Sequence, residues 1–137
     1  MTHLVIDCSV TMAWCFEDEA SGYADGILER LKTQEATVPT IWPLEVANVL
    51  LVAQRSQRLT EADSARFLLL LGHLPLQVDN DSTAHVFTDV LPLARSHDLS
   101  SYDAAYLELA VRVNCPLATL DKRLRAVAEE MGVTTLA

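Results

Sequence analysis

Asp7, Glu45, Asp103 and Asp121 are the side chains whose types and positions could do chemistry. Asp7 directly follows the apolar run Leu4-Val5-Ile6. Asp121 follows Leu117-Ala118-Thr119-Leu120 and opens a helix-like segment. Glu45 and Asp103 fall in the first turns expected of two apolar helices. Taken singly, each acid has a sufficient structural reason, because helix N-termini favour carboxylates. Taken together they are harder to explain that way. A carboxylate in an apolar segment is costly unless it is paired or metal-bound. Four of them with no interleaved cluster of Lys or Arg would repel and hold protons more tightly. A divalent cation relieves the conflict. An all-oxygen set without His or Cys suits Mg²⁺ or Mn²⁺ rather than Zn²⁺. Carboxylate-held ions of this kind activate water and stabilise the charge of in-line phosphodiester cleavage.

Several neighbours could support such a site. Ser9 and Thr119 lie two residues from Asp7 and Asp121, and their hydroxyls could meet water or a metal-bound phosphate. A cap or strand-end hydroxyl explains each equally well. Asn48, one helical turn beyond Glu45, could orient that carboxylate or be a satisfied amide. Lys122, Arg123 and Arg125 form the dense basic cluster of the chain. They could hold an RNA phosphate or simply cover a solvated helix face. His3, His73, His85 and His97 share no spacing. There is no Gly-rich phosphate loop and no nucleophile elbow.

The elements that must position these acids read as strands alternating with helices. Leu4–Ile6, Thr37–Pro39, Leu76–Val78, Leu117–Thr119 and Val133–Leu136 are the expected strands. Ser9 is expected to cap a helix through Trp14 and Phe16, and a second helix is expected over Ser21 to Leu31. Pro43 fits the first turn of a third. Thr60 with Asp63 resembles a capping box for a helix through Leu71. Asp81 or Ser82 should start a helix to Arg95, kinked at Pro92. Ser100 or Ser101 should cap a helix with Tyr102, Ala105, Tyr106, Leu109 and Val113 on one face. A last helix should run from about Asp121 to Met131 and stop at Gly132. This order predicts an α/β fold with a parallel sheet covered on both faces. In such a sheet, strand C-termini and helix N-termini share one edge, where ligands bind. No internal repeat or boundary divides residues 1–137, so one domain is expected.

The bulk properties frame the reading. The chain has 137 residues, half of them hydrophobic, enough for one core without cross-links. Cys8, Cys15 and Cys115 make a poor disulfide framework and read as reduced thiols of a cytoplasmic protein. The N-terminus lacks the basic and apolar regions of a signal peptide. The apolar run Phe67–Leu71 is too short to span a bilayer, and is either deep core or partly a protein interface. A net charge of −9 runs against nucleic-acid binding driven by phosphate contacts. Acids gathered in one pocket can nevertheless be offset by bound cations, and excess acid suits a basic partner.

Four segments carry a family resemblance: Val5-Ile6-Asp7-Cys8-Ser9-Val10, Pro43 to Leu50, Ser101 to Ala110, and Pro116 to Leu124. In type and order they resemble the motifs of VapC-type PIN domains, the toxins of toxin–antitoxin pairs, and the resemblance spans essentially the whole chain. It implies a three-layer α/β/α fold and a Mg²⁺- or Mn²⁺-dependent endoribonuclease inhibited by a cognate VapB-like antitoxin. It also implies a homodimer. Asp7, Glu45, Asp103 and Asp121 match the family's acidic positions, and Thr119 its common hydroxyl position. Two alternatives stay open. A haloacid-dehalogenase-like phosphatase also uses an Asp after its first strand, but its second Asp would fall at Ser9. A PIN-like or receiver-like scaffold would bind a partner without cleaving, and metal-dependent RNA cleavage separates it from the ribonuclease.

Overall fold

The computed structural model describes residues 3–136. The elements in chain order are β1 (His3–Ile6), α1 (Cys8–Ala13), α2 (Gly22–Arg30), β2 (Glu35–Val38), α3 (Ile41–Arg55), α4 (Glu61–Gly72), β3 (Leu76–Val78), α5 (Leu91–His97), α6 (Ser101–Val113), β4 (Leu117–Ala118) and α7 (Lys122–Glu130). The four strands form one parallel sheet in the order β3-β2-β1-β4, flanked by helices. Parallel strands must be buried on both faces, and after His3 β1 is correspondingly apolar: Leu4, Val5 and Ile6 are fully enclosed. They join Val10, Ile27, Val38, Val46, Leu50, Leu107, Leu109, Leu117 and Leu124 in the main core.

Local chemistry explains most boundaries. Ser21 caps α2, Ser100 caps α6, and Thr60 and Asp63 close the expected capping box on α4. After α7 the chain turns at Gly132, whose φ of 81° favours glycine. Among the described residues, no helix is long and apolar enough to cross a membrane.

Three expectations need correction. The cap of α1 is Asp7, not Ser9; the Asp7 carboxylate accepts the Val10 amide, and α1 ends at Ala13 rather than Phe16. The segment from Ser82 to Arg95 is not one kinked helix. It is a 3₁₀ turn (Ser82–His85), a π-type turn (Val86–Val90) and then α5. Pro92 sits in the first turn of α5, where its missing N–H costs nothing, so the chain restarts there instead of bending. The last strand is reduced to one parallel bridge between Leu117 and Thr135. Of the two readings of the Phe67–Leu71 run, deep core does not hold: Phe67 and Leu71 enter the core while Leu68, Leu69 and Leu70 stay exposed.

Candidate functional site

The sheet order places the site. β1 pairs with β2 on one side and with β4 on the other, so the chain reverses its direction of travel across the sheet at β1. Crossovers leave in opposite directions there and open a crevice at the strand C-termini. The register Ile6↔Ala118 aligns the ends of β1 and β4, and the Asp7 amide donates to the Ala118 carbonyl at 3.2 Å. Asp7 and Thr119 are thereby adjacent at the crevice.

Asp7 is held rigidly. Its Oδ1 accepts the Ser9 hydroxyl at 2.6 Å and the Val10 amide at 3.1 Å, and its Oδ2 accepts the Thr119 hydroxyl. The same two hydroxyls reach onward: Thr119 Oγ1 accepts the Asp121 amide and Ser9 Oγ accepts the Leu120 amide, both at 3.0 Å. Ser9 and Thr119 therefore stitch the start of α1 to the start of α7. Burial raises the Asp7 carboxyl above its ordinary range against the pull of these donors, and the nearby Asp103 adds to the rise.

The other three acids face the same crevice from α3, α6 and α7. Glu45 accepts the hydroxyl of Tyr106 on Oε1. Burial again raises its carboxyl; the Tyr106 bond opposes this and the charges of Asp103 and Asp7 reinforce it. Asp103 is the third residue of α6, the position from which an acid can close a capping box. In α4 the equivalent Asp63 does so, accepting the Thr60 amide. Asp103 closes no such box: its amide donates to Ser100 Oγ, and no bond from its carboxylate back to the Ser100 amide is seen among the described residues. Burial and the charge of Asp121 raise its carboxyl, against a side-chain hydrogen bond with Ser100. Asp121 does cap, with Oδ1 accepting the Arg123 and Leu124 amides at 2.9 and 3.0 Å.

Asp7, Glu45, Asp103 and Asp121 thus feel one another's charge in a connected chain, and among the described residues no ion pair involves any of them. Carboxylate oxygens without counter-cations fit a hard divalent ion. Cys8 adds no thiolate, because burial and the charges of Glu45 and Asp7 push its thiol up to about 12. No three of the four acids bring ligand atoms within 4.8 Å of one another among the described residues, whereas His85, Asp89 and Glu108 do. That second group is already compensated. Arg112 donates to Glu108 Oε2 at 2.8 Å and to Asp79 Oδ2 at 2.6 Å, and Asp79 also receives Ser82. It is a cross-brace between α6 and the segment after β3.

The supporting candidates divide. Asn48 is exposed and makes no hydrogen bond to Glu45 among the described residues. Lys122 is exposed at the start of α7. Arg123 donates to the His97 and Asp98 carbonyls. Arg125 turns inward, donating to the Thr119 carbonyl at 2.8 Å and the Leu136 carbonyl at 2.9 Å, with its guanidinium over the Tyr23 ring. Tyr23 in turn donates to Leu136 and accepts the Thr119 amide. Two of the three basic residues expected at an RNA phosphate therefore have structural partners instead.

Sequence reasoning missed Tyr106 and Tyr23. Tyr106 looked like part of an apolar stripe; the available signal was its three-residue spacing from Asp103, which puts both on one face of α6. Tyr23 gave no signal, since its partners lie 96 and 113 residues away.

A PIN domain profile matches residues 4–130. Ribonuclease VapC3 of Pyrobaculum aerophilum is 32% identical over 121 residues, covering 88% of this chain and 91% of that protein. Among solved structures, VapBC2 from Rickettsia felis, bound to a DNA fragment from its promoter, superposes with a TM-score of 0.68 at 11% identity, covering 98% of each chain. VapC20 of Mycobacterium tuberculosis, described as a sarcin–ricin loop cleaving toxin, gives 0.62 at 12% identity, covering 90% of this chain and 94% of that one. At these identities the structures speak to the fold.

Proposed function

This chain belongs to the PIN domain family, and we propose that it is a metal-dependent endoribonuclease toxin of the VapC kind, held in check by a basic VapB-like antitoxin. What supports the reading is the linked charge of Asp7, Glu45, Asp103 and Asp121 about the β1–β4 crevice, with no ion pair to any of them among the described residues. Mg²⁺ or Mn²⁺ bound there would supply an activated water and neutralise charge building on the phosphate. The protein's own part is positioning. Ser9, Thr119 and the Val10 amide fix both oxygens of Asp7, so its orientation is set before any ligand arrives. Asp103, unused as a cap, would offer its carboxylate to the ion, with a Ser100 side-chain hydrogen bond beside it. Asp121 anchors the first turn of α7 through Oδ1, which would leave Oδ2 for the ion. Lys122 is the basic side chain of its cluster best placed to meet an RNA phosphate, since Arg123 and Arg125 hold backbone carbonyls.

The phosphatase alternative requires a second acid at position 9. Ser9 there bridges Asp7 and the Leu120 amide, which leaves no carboxyl in that role. A homodimer is proposed on the family resemblance. The deciding experiment is RNA cleavage by the purified chain with Mg²⁺ or Mn²⁺, with EDTA, and with Asp103→Asn. Cleavage that survives EDTA, or survives Asp103→Asn at the wild-type rate, sinks the reading.

A further inference from the structure

We propose that Tyr106 is a positioning residue of the metal site, which aims the Glu45 carboxylate into the crevice through its hydroxyl. The inference rests on the metal-dependent reading above. Tyr106 is only 1% exposed, and its hydroxyl donates to Glu45 Oε1. A buried phenol must find a partner, and among the described residues this carboxylate is the acceptor it has. The two residues are 61 positions apart and lie on different helices, so the bond serves no local helical geometry.

The helix explains the arrangement. Asp103 and Tyr106 are three apart on α6 and share a face. One rung offers the crevice a carboxylate, and the next offers a proton to the carboxylate arriving from α3. Glu45 is half-buried on a long side chain with several rotamers, and α3 gives it no cap to hold, since the helix begins four residues earlier at Ile41. Without Tyr106, its terminal oxygens would be free to turn toward solvent.

The chemical type of the donor also matters. A Lys or Arg would orient Glu45 equally well but would neutralise it, and would compete with a cation for the site. A phenol is a neutral donor. It fixes one oxygen and leaves the full negative charge, with the second oxygen, to a metal. This differs from the Glu108–Arg112 pair on the same helix, where an acid is both oriented and neutralised. The two pairs separate a metal-directed acid from a structural one by the charge of the donor.

The test is Mn²⁺ binding to the whole chain, read directly from the free-ion paramagnetic signal, beside circular dichroism and RNA cleavage. Tyr106→Phe keeps the ring and the packing. It should weaken Mn²⁺ binding about tenfold, the usual scale for losing a partner of a metal ligand, and lower kcat with KM for RNA unchanged. Glu45→Asp, which draws the carboxylate back from the phenol, should weaken Mn²⁺ to a similar degree. In a Glu45→Gln background, Tyr106→Phe should have no further effect on Mn²⁺. The proposal is overturned if Tyr106→Phe binds Mn²⁺ like the parent, or if its effect persists undiminished beside Glu45→Gln. A chain that binds Mn²⁺ yet cleaves no RNA removes the proposed function and leaves Tyr106 to be decided by the titration. A parent chain that binds no Mn²⁺ removes both.

Discussion

Thr119 donates its hydroxyl to Asp7 across 112 residues of sequence, and the same oxygen accepts the amide of Asp121. One buried hydroxyl thus ties together the acids that follow β1 and β4. Thr119→Val keeps the shape and removes both bonds. It should cost about 1–3 kcal/mol of stability, the penalty for leaving buried polar partners unsatisfied, and should lower kcat roughly 10- to 100-fold. Thr119→Ser should retain most of both. Denaturant unfolding and single-turnover cleavage check this; a Val variant cleaving at the parent rate would make the hydroxyl purely structural.

The acids should separate by what their carboxylates hold. Asp103 caps nothing, so Asp103→Asn should abolish cleavage while preserving or raising thermal stability, because it removes repulsion with Asp121. Asp121 caps α7 and Asp7 caps α1. Replacing either by Ala should abolish cleavage and also cost ~1 kcal/mol of capping. Thermal melts in EDTA distinguish the two behaviours, and a marked loss of stability in Asp103→Asn with unchanged metal affinity would contradict the assignment.

Stability without metal should depend on pH in an unusual direction. Asp7, Glu45 and Asp103 are all raised, chiefly by burial, so the folded state holds their protons more tightly than the unfolded chain. A raised carboxyl contributes stability below the unfolded value, about 4, and loses it as pH rises through the folded value. Asp79 acts oppositely: burial lifts it, but bonds from Arg112 and Ser82 outweigh that and hold it low. Its contribution fades only below the ordinary carboxyl range. In EDTA, the unfolding midpoint should therefore fall as pH climbs above the ordinary carboxyl range. Mg²⁺ at about 100 times its Kd should restore ~2.7 kcal/mol at neutral pH. A metal-free midpoint that rises over this window would show that the acids are not mutually strained.

Arg125 gives a separate test of how the end of the chain supports the site. It grips the carbonyls of Thr119 and Leu136 while lying over Tyr23. Arg125→Ala should lower stability by about 1–3 kcal/mol through the unsatisfied carbonyls and reduce kcat, with KM for RNA unchanged. Lys122→Ala should instead raise KM and flatten its salt dependence. A large KM effect from Arg125→Ala would return it to the phosphate.

A parallel sheet covered by helices could be anticipated because strand, cap and helix signals alternate plainly, and the four acids stand out because each interrupts an apolar run. Other features were not legible for physical reasons. Asp7 caps α1 because Ser9 lies inside its first turn, where its hydroxyl donates to Asp7 and accepts the Leu120 amide, a contact 111 residues away and so outside any local pattern. The π-type turn before Pro92 reflects tertiary packing of Val90 and Ala94 against Ala104, which no local pattern records. The inward turn of Arg125 depends on where Leu136 ends up, a contact between segments that look independent in the chain.

The partner is the remaining test. Leu44 and Tyr102 are 67% and 57% exposed, and with Ile41 and Val49 they wall a cavity of about 470 Å³ that Glu45 and Asn48 also line. An apolar wall leading to uncompensated acids suits a segment with apolar side chains along its length and one cation at its end. A basic antitoxin segment of this kind should place an Arg near Asp7 and Asp103, where a bidentate contact would compete directly with the metal. The net charge of −9 should speed encounter with it, so association should slow as salt rises. Leu44→Asp should weaken the complex without changing Mn²⁺ affinity. Asp103→Asn should weaken it as well by removing the cation's partner. If the co-encoded protein binds tightly but leaves Mg²⁺-dependent cleavage untouched, inhibition occurs away from this crevice.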